Sequence, residues 1–186
     1  MIPSRLDLAD GRAERLRGGA GRKLDLLCVR TGDGVCVVKD AAAGGRLRQR
    51  WGAWLIRREL QAYEQLAGHP AVPRALGRVD ELAFALEYRP GRIMGPRLSG
   101  QLPAGFIAEL RAAVREMHAR GVVHLDLRHR SNVLAGEDGH PVLIDFASAV
   151  CFRPGGFGAR FVLPLLAWID RRAVDKWERQ LRSTGA

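Results

Sequence analysis

Two apolar runs, residues 24–30 and 35–39, flank the turn Gly32-Asp33-Gly34, and this spacing constrains the fold more than any other feature of the chain. So short a connection joins only antiparallel strands, because a parallel pair needs a crossover of a dozen residues or more. A small-residue link, 41–45, then leads into residues 46–66, where Trp51, Leu55, Leu60 and Tyr63 recur at helical steps among arginines. Gly68-His69-Pro70 ends that helix. Two further short strands, 76–79 and 82–88, precede Arg89-Pro90-Gly91, which breaks the pattern.

The second half reads differently. Residues 103–120 place Phe106, Leu110, Ala113, Val114 and Met117 on one helical face, with Gly121 at the C-cap. Short apolar runs follow as far as Phe152, then a flexible turn at Gly155-Gly156. Residues 161–181 carry Leu165, Leu166, Ile169, Val174, Trp177 and Leu181 in one or two amphipathic helices. Residues 1–16 have little periodicity and read as a loose lead-in or a short first strand. The order does not alternate as βαβ units do. It predicts an α+β fold in two lobes, a small β-rich N-lobe over about 1–88 and a mainly helical C-lobe over 89–186, with a cleft between them.

At 186 residues and 47% hydrophobic content the chain is long enough for a packed core. No apolar run approaches the roughly 20 residues that span a bilayer. Asp7, Asp10 and Glu14 leave no apolar region for a secretory signal. Cys28, Cys36 and Cys151 are odd in number and lack CxxC spacing, so free thiols in a reducing cytosol are expected and zinc is not. The expected location is cytoplasmic, with peripheral contact at the inner face of a membrane as an extension. Net charge is +10, yet only Lys23, Lys39 and Lys176 among the 30 basic side chains are lysine. Arginine cannot replace lysine where a compact point charge is needed, which draws attention to these three. The charge favours anionic partners: nucleotides, phosphorylated glycolipids or an anionic membrane face. Nucleic acid is not expected, because no reader motif or interleaved aromatics accompany the charge.

The chemistry-bearing residues stand beside short apolar runs. His124-Leu125-Asp126-Leu127 follows Val122-Val123, Asn132 precedes Val133-Leu134, and Asp145 follows Val142-Leu143-Ile144. Rigid scaffolds present chemistry on loops in this way. Asp126 can accept or orient a hydroxyl proton, while Asn132 and Asp145 are oxygen ligands of the kind Mg²⁺ prefers. His124 is expected to support the loop by hydrogen bonding. Singly, each reads as a turn residue, Asp126 as an N-cap, Asn132 as an Asx-turn and Asp145 as a strand end. Their order and spacing together favour a site. Upstream, Lys39 ends an apolar strand and alone reads as a snorkelling edge lysine. Glu59, 20 residues on in the predicted helix, is its expected ion-pair partner, with Glu64 as second candidate. Gly18, Gly19 and Gly21 precede Lys39, and backbone N–H groups there either cradle an anion or form a plain flexible turn.

Together these residues resemble the catalytic and metal-binding loops of the protein-kinase-like superfamily, over roughly residues 15–150. The compact atypical members, RIO kinases and bacterial lipopolysaccharide core-sugar kinases, are the nearest in pattern. The phrase Arg57-Arg58-Glu59…Ala62-Tyr63…Leu66…Val72-Pro73-Arg74…Leu76-Gly77 is similar to the sugar-kinase group. The resemblance implies ATP and Mg²⁺ as cofactors and a two-lobed fold with a truncated C-lobe. It makes Asp126 the base, Asn132 and Asp145 the metal ligands, and Lys39 with Glu59 the phosphate clamp. The Gly18–Gly21 loop would cover the phosphates, and Glu87 and Tyr88 would form a hinge whose backbone meets adenine.

Three departures accompany it. The glycines do not follow G-x-G-x-x-G. Asp126 to Asn132 is one residue longer than usual, through Arg128-His129-Arg130-Ser131. Ala147 stands where Asp-Phe-Gly has glycine. No Ala-Pro-Glu and no long activation segment follow Asp145. The expected acceptor is therefore a sugar hydroxyl of lipopolysaccharide or another glycolipid, with a protein serine or threonine second. A pseudokinase-like nucleotide-binding regulatory module is the rival from another class, disfavoured because no core residue is missing. Arg46, Arg48, Arg50, Arg57 and Arg58 form a solvated face or a dock for an anionic substrate or membrane. Trp168 and Trp177, with Arg171, Arg172 and Arg179, belong to a packed helix or an interfacial one.

Overall fold

The computed structural model describes residues 2–9, 13–17, 24–32, 34–43 and 45–183. The chain forms two compact units, Met1–Glu64 with Arg74–Tyr88, and Gln65–Pro73 with Arg89–Ala186. The first is β-rich and the second dominated by helices, so the α+β expectation holds.

In the first unit, five antiparallel strands lie in the order β1-β2-β3-β5-β4. They are β1 (Ala13–Arg17), β2 (Asp25–Thr31), β3 (Gly34–Asp40), β4 (Ala75–Arg78) and β5 (Ala83–Glu87). The hairpin read from residues 24–39 is β2–β3, with Thr31 opposite Gly34 at its turn. Alternation puts Leu27 and Val29 of β2, Cys36 and Val38 of β3, and Ala83 and Ala85 of β5 into one apolar cluster. Helix α2 (Arg46–Gln65) buries Ile56, Glu59, Leu60, Ala62 and Tyr63, and the Tyr63 ring tilts against Phe84 of β5 at 6.0 Å.

The lead-in is more ordered than its sequence predicted. A short helix α1 (Arg5–Ala9) starts where Ser4 and Asp7 bond reciprocally: the Asp7 N–H donates to Ser4 Oγ at 3.3 Å and the Ser4 N–H to Asp7 Oδ2 at 2.8 Å. This is a capping-box arrangement with Asp in the acidic place. Arg5 ties α1 to the sheet through Asp40 at 2.5 Å and through Asp80. Leu8 packs on the apolar cluster.

The second unit is built on α3 (Phe106–Ala119) and α5 (Leu163–Ser183), with short α4 (Phe157–Phe161) before α5. Arg111 of α3 bonds Asp175 and Glu178 of α5 at 2.6 and 2.5 Å. Gly121, at φ +83°, takes the left-handed turn after α3 that the sequence assigned to it. Two small antiparallel sheets carry the loops. One has order β6-β8-β9, from Gly91–Ile93, Val133–Gly136 and Pro141–Leu143; the other pairs β7 (Val122–Val123) with β10 (Val150–Cys151). Strand β6 falls where Arg89-Pro90-Gly91 reads as a break. A Cβ on Gly91 would stand 2.8 Å from the Ala135 carbonyl oxygen, so glycine permits the pairing.

Candidate active site

In the first unit, Lys39 lies one residue from the end of β3, opposite Leu26 and Phe84. Its ammonium donates to Glu59 Oε1. The Lys39 side chain is 11% exposed and that of Glu59 is fully buried. Gly52 makes this meeting feasible. A Cβ there would come within 2.4 Å of Ala41 Cβ, so α2 can approach the chain leaving β3 only because residue 52 has no side chain. Each charge in such surroundings is costly alone, and the pair is retained because both are present. Glu64 is exposed on α2. Glu87, at the end of β5, takes the Arg74 N–H on Oε2 at 3.0 Å and returns its own N–H to the Arg74 carbonyl at 2.9 Å. Tyr88 is exposed beside it. Gly18, Gly19 and Gly21 lie outside the described residues.

The second unit brings the other set together. Strand β7 delivers His124, whose ring is wholly buried and tilts against Phe146 at 4.6 Å. Burial pushes the His124 pKa down, against the pull of Asp170, so the ring is neutral. Its Nε2 lies 3.0 Å from the Ile144 carbonyl oxygen, and its Nδ1 accepts the Asp126 N–H at 3.3 Å. That geometry selects the Nε2–H tautomer, with His124 bridging the loop of Asp126 to the strand end before Asp145.

Asn132, buried in a 3-10 turn (Arg130–Asn132), donates from Nδ2 to both the carbonyl oxygen and Oδ2 of Asp126, each at 3.0 Å. The Ile144 N–H donates to the Asn132 carbonyl at 3.0 Å, which draws the two loops together. Asp145 sits at φ +66°, ψ +67°, a conformation that aspartate tolerates better than most residues. Among the described residues, Leu125, at φ +67°, is the other non-glycine residue in this region.

Asp170 is a positioning residue that sequence reading missed. Fully buried on α5, it accepts the His124 N–H on Oδ2 at 2.8 Å and the Leu125 N–H on Oδ1 at 2.9 Å. His118 Nε2 lies 3.0 Å from Oδ2. Trp177 and Lys176 extend the attachment, donating to the Leu127 carbonyl at 2.9 Å and the Arg128 carbonyl at 3.0 Å. The available signal was one carboxylate on the apolar side of residues 163–177, where Ala167, Ala173, Val174 and Trp177 are buried. Trp177 is therefore a core residue, which removes it from the interfacial face sketched from sequence; Trp168 is half-exposed.

The donor set fits a hard cation. With Asn132 Nδ2 turned to Asp126, its Oδ1 faces the other way, within 3.2 Å of the Ser131 hydroxyl, and Asp145 supplies a carboxylate. Among the described residues no three His, Cys, Asp or Glu side chains form a metal cage. Two oxygen ligands completed by water and phosphate is how Mg²⁺ is commonly held.

Comparison with known proteins agrees with this chemistry. The chain is 35% identical over 99 residues to the serine/threonine-protein kinase WAG2 of Arabidopsis thaliana, covering 47% of this chain and 20% of that protein. It is 30% identical over 111 residues to calcium-dependent protein kinase 27 of Oryza sativa subsp. japonica, covering 54% and 18%. It is 38% identical over 80 residues to the serine/threonine-protein kinase LATS1 of Homo sapiens, covering 40% and 7%. The chain is similar to protein kinases. It spans a fifth or less of the length of these three relatives. No family model matches it. The finer likeness to RIO or lipopolysaccharide kinases has no counterpart among these relatives.

Proposed function

We propose that this chain is a phosphotransferase that moves the γ-phosphate of ATP, with Mg²⁺, to a hydroxyl group. The observation that carries the reading is the Asn132–Asp126 hydrogen bond. It holds a part-exposed carboxylate at a fixed angle through Oδ2, and among the described residues Oδ1 is left for an acceptor. Asp126 takes the acceptor proton as the hydroxyl oxygen bonds to the γ-phosphorus and the bond to the bridging oxygen of ADP breaks. Asn132 and Asp145 would hold Mg²⁺, which supplies charge neutralisation at the phosphates when bound. Lys39, aimed by Glu59, binds phosphate oxygens. The Gly18–Gly21 segment would cover the phosphates, and Tyr88, with the carbonyl of Glu87, would receive the adenine edge. Phosphoryl transfer asks a protein mainly for position and charge, and these residues supply both.

A protein serine or threonine is the first acceptor, supported by the names of the relatives. A sugar hydroxyl of a glycolipid is the second reading. It is favoured by the short stretch between Asp145 and α4, which contains no Ala-Pro-Glu. Incubation with γ-labelled ATP and either a protein or a glycolipid fraction separates them by which takes up label. A thermal shift with ATP that requires Mg²⁺ supports the enzyme; no response to either favours a regulatory module. Asp126→Ala with undiminished turnover sinks the mechanism.

A further inference from the structure

Helices α4 and α5 carry an apolar ridge that the phosphotransfer site does not use. Phe157, Phe161, Leu165 and Trp168 recur at steps of four, four and three, the spacing of one helical face, and are 76, 52, 73 and 50% exposed. Val162 joins α4 to α5 in helical conformation, and the Leu166 N–H reaches back to its carbonyl at 3.2 Å, so the face is continuous. The ridge is roughly 17 Å long at 1.5 Å per residue. A contiguous exposed apolar row of this kind marks an interaction surface.

Its surroundings are positive. Arg153, Arg160, Arg171 and Arg172 lie along residues 152–174, where the one carboxylate, Asp170, is fully buried against the backbone of His124 and Leu125. The next acids on α5, Asp175 and Glu178, are both paired with Arg111, and Glu178 with Arg182 as well. The Arg172 guanidinium lies 4.3 Å over the Trp168 ring, and that of Arg160 lies 5.6 Å from the Phe161 ring centroid. A ring that inserts while its stacked guanidinium stays at phosphate level suits a boundary between apolar and anionic layers. A second copy of the chain is disfavoured, since two such faces repel.

We propose that the α4–α5 ridge is a docking surface for an anionic lipid bilayer, with Phe157, Phe161, Leu165 and Trp168 entering the acyl boundary and the arginines meeting lipid phosphates. This assignment does not rest on the phosphotransfer reading. The test is co-sedimentation of the purified chain with phosphatidylglycerol-containing vesicles and with pure phosphatidylcholine vesicles. It is repeated with the double variant Leu165→Ser/Trp168→Ser, whose fold is checked by thermal melting. Wild type binds the anionic vesicles and not the neutral ones, and the double variant binds about tenfold more weakly or worse, both side chains being exposed and the loss apolar. Equal sedimentation of a folded double variant assigns the binding to diffuse charge and overturns the proposal. So does a wild type that ignores anionic vesicles, the outcome expected if an acidic protein is the true occupant.

Discussion

Asp170 Oδ1 accepts the backbone N–H of Leu125 at 2.9 Å, and Leu125 holds a left-handed φ of +67°. The carboxylate thus stabilises a backbone conformation that a branched aliphatic residue avoids, one residue before Asp126. Replacing Asp170 with Ala leaves the His124 and Leu125 donors buried without acceptors, at about 1–3 kcal/mol each. A lowered urea midpoint together with lost phosphate transfer is expected. Asp170→Asn, which keeps one acceptor oxygen, recovers part of the stability.

At the proposed base, Asn132→Asp exchanges an amide donor for a carboxylate facing Asp126 Oδ2, now 3.0 Å from Nδ2. Two carboxylates at that distance cannot both ionise easily, so one pKa rises. Transfer at neutral pH is expected to fall about a hundredfold or more, with the pH optimum moved upward. A pH–rate profile reads both effects. Asp126→Ala removes the proton acceptor and costs a similar factor or more, while ATP binding persists in a thermal-shift titration.

Removing one member of a buried ion pair takes the salt-bridge partner from the other. Lys39→Met and Glu59→Gln are each expected to cost about 3–5 kcal/mol in chemical denaturation. The double variant should lose less than the sum, because no uncompensated charge remains. All three lose phosphate transfer. A fully additive double variant contradicts the pairing.

His69 gives the second unit a pH response. Burial pushes its imidazole pKa below the ordinary value, outweighing the Ala113 carbonyl and Glu116 that pull it upward, while Arg120 adds to the lowering. Nδ1 accepts the Ala71 N–H at 3.1 Å and Nε2 lies 3.0 Å from the Ala113 carbonyl, so the folded protein holds the neutral ring. Below about pH 6.5 the unfolded chain takes up a proton that the folded chain resists. Stability is therefore full above that value and falls as pH drops, by up to about 1.4 kcal/mol per pH unit for this group. Denaturant midpoints through this range read the slope, and His69→Gln is expected to flatten it.

The sequence carried the parts of the fold that depend on near neighbours. The β2–β3 hairpin and the start of α2 at Arg46 follow from periodicity and punctuation within a few residues. Lys39 and Glu59 were readable because strand and helix each had a clear pattern, and the structure brings them together. Strand β6 was not readable: three exposed residues beside a proline have no period, and the pairing with β8 is decided by residues more than forty positions away. Asp170 escaped for a related reason. Its helix shows in the apolar residues, while its role lies in a contact 46 positions back in the chain. Trp168 and Trp177, grouped together from sequence, stand nine residues apart and so on opposite faces of α5, one half-exposed and the other buried.

Helix α5 fastens residues 124, 125, 127 and 128 from below, through Asp170, Trp177 and Lys176, and Asn132 closes the far side on Asp126. Between those moorings His129 and Arg130 are exposed and Ser131 is half-exposed. The span is bonded within itself and to its neighbours: the Asn132 N–H donates to the His129 carbonyl at 3.1 Å, His129 Nδ1 lies 2.8 Å from Ser131 Oγ, and the Arg130 guanidinium donates to the Met94 carbonyl at 3.3 Å. A loop tied at both ends and along its span transmits a change at Ser131, through Asn132, to the aim of the Asp126 carboxylate.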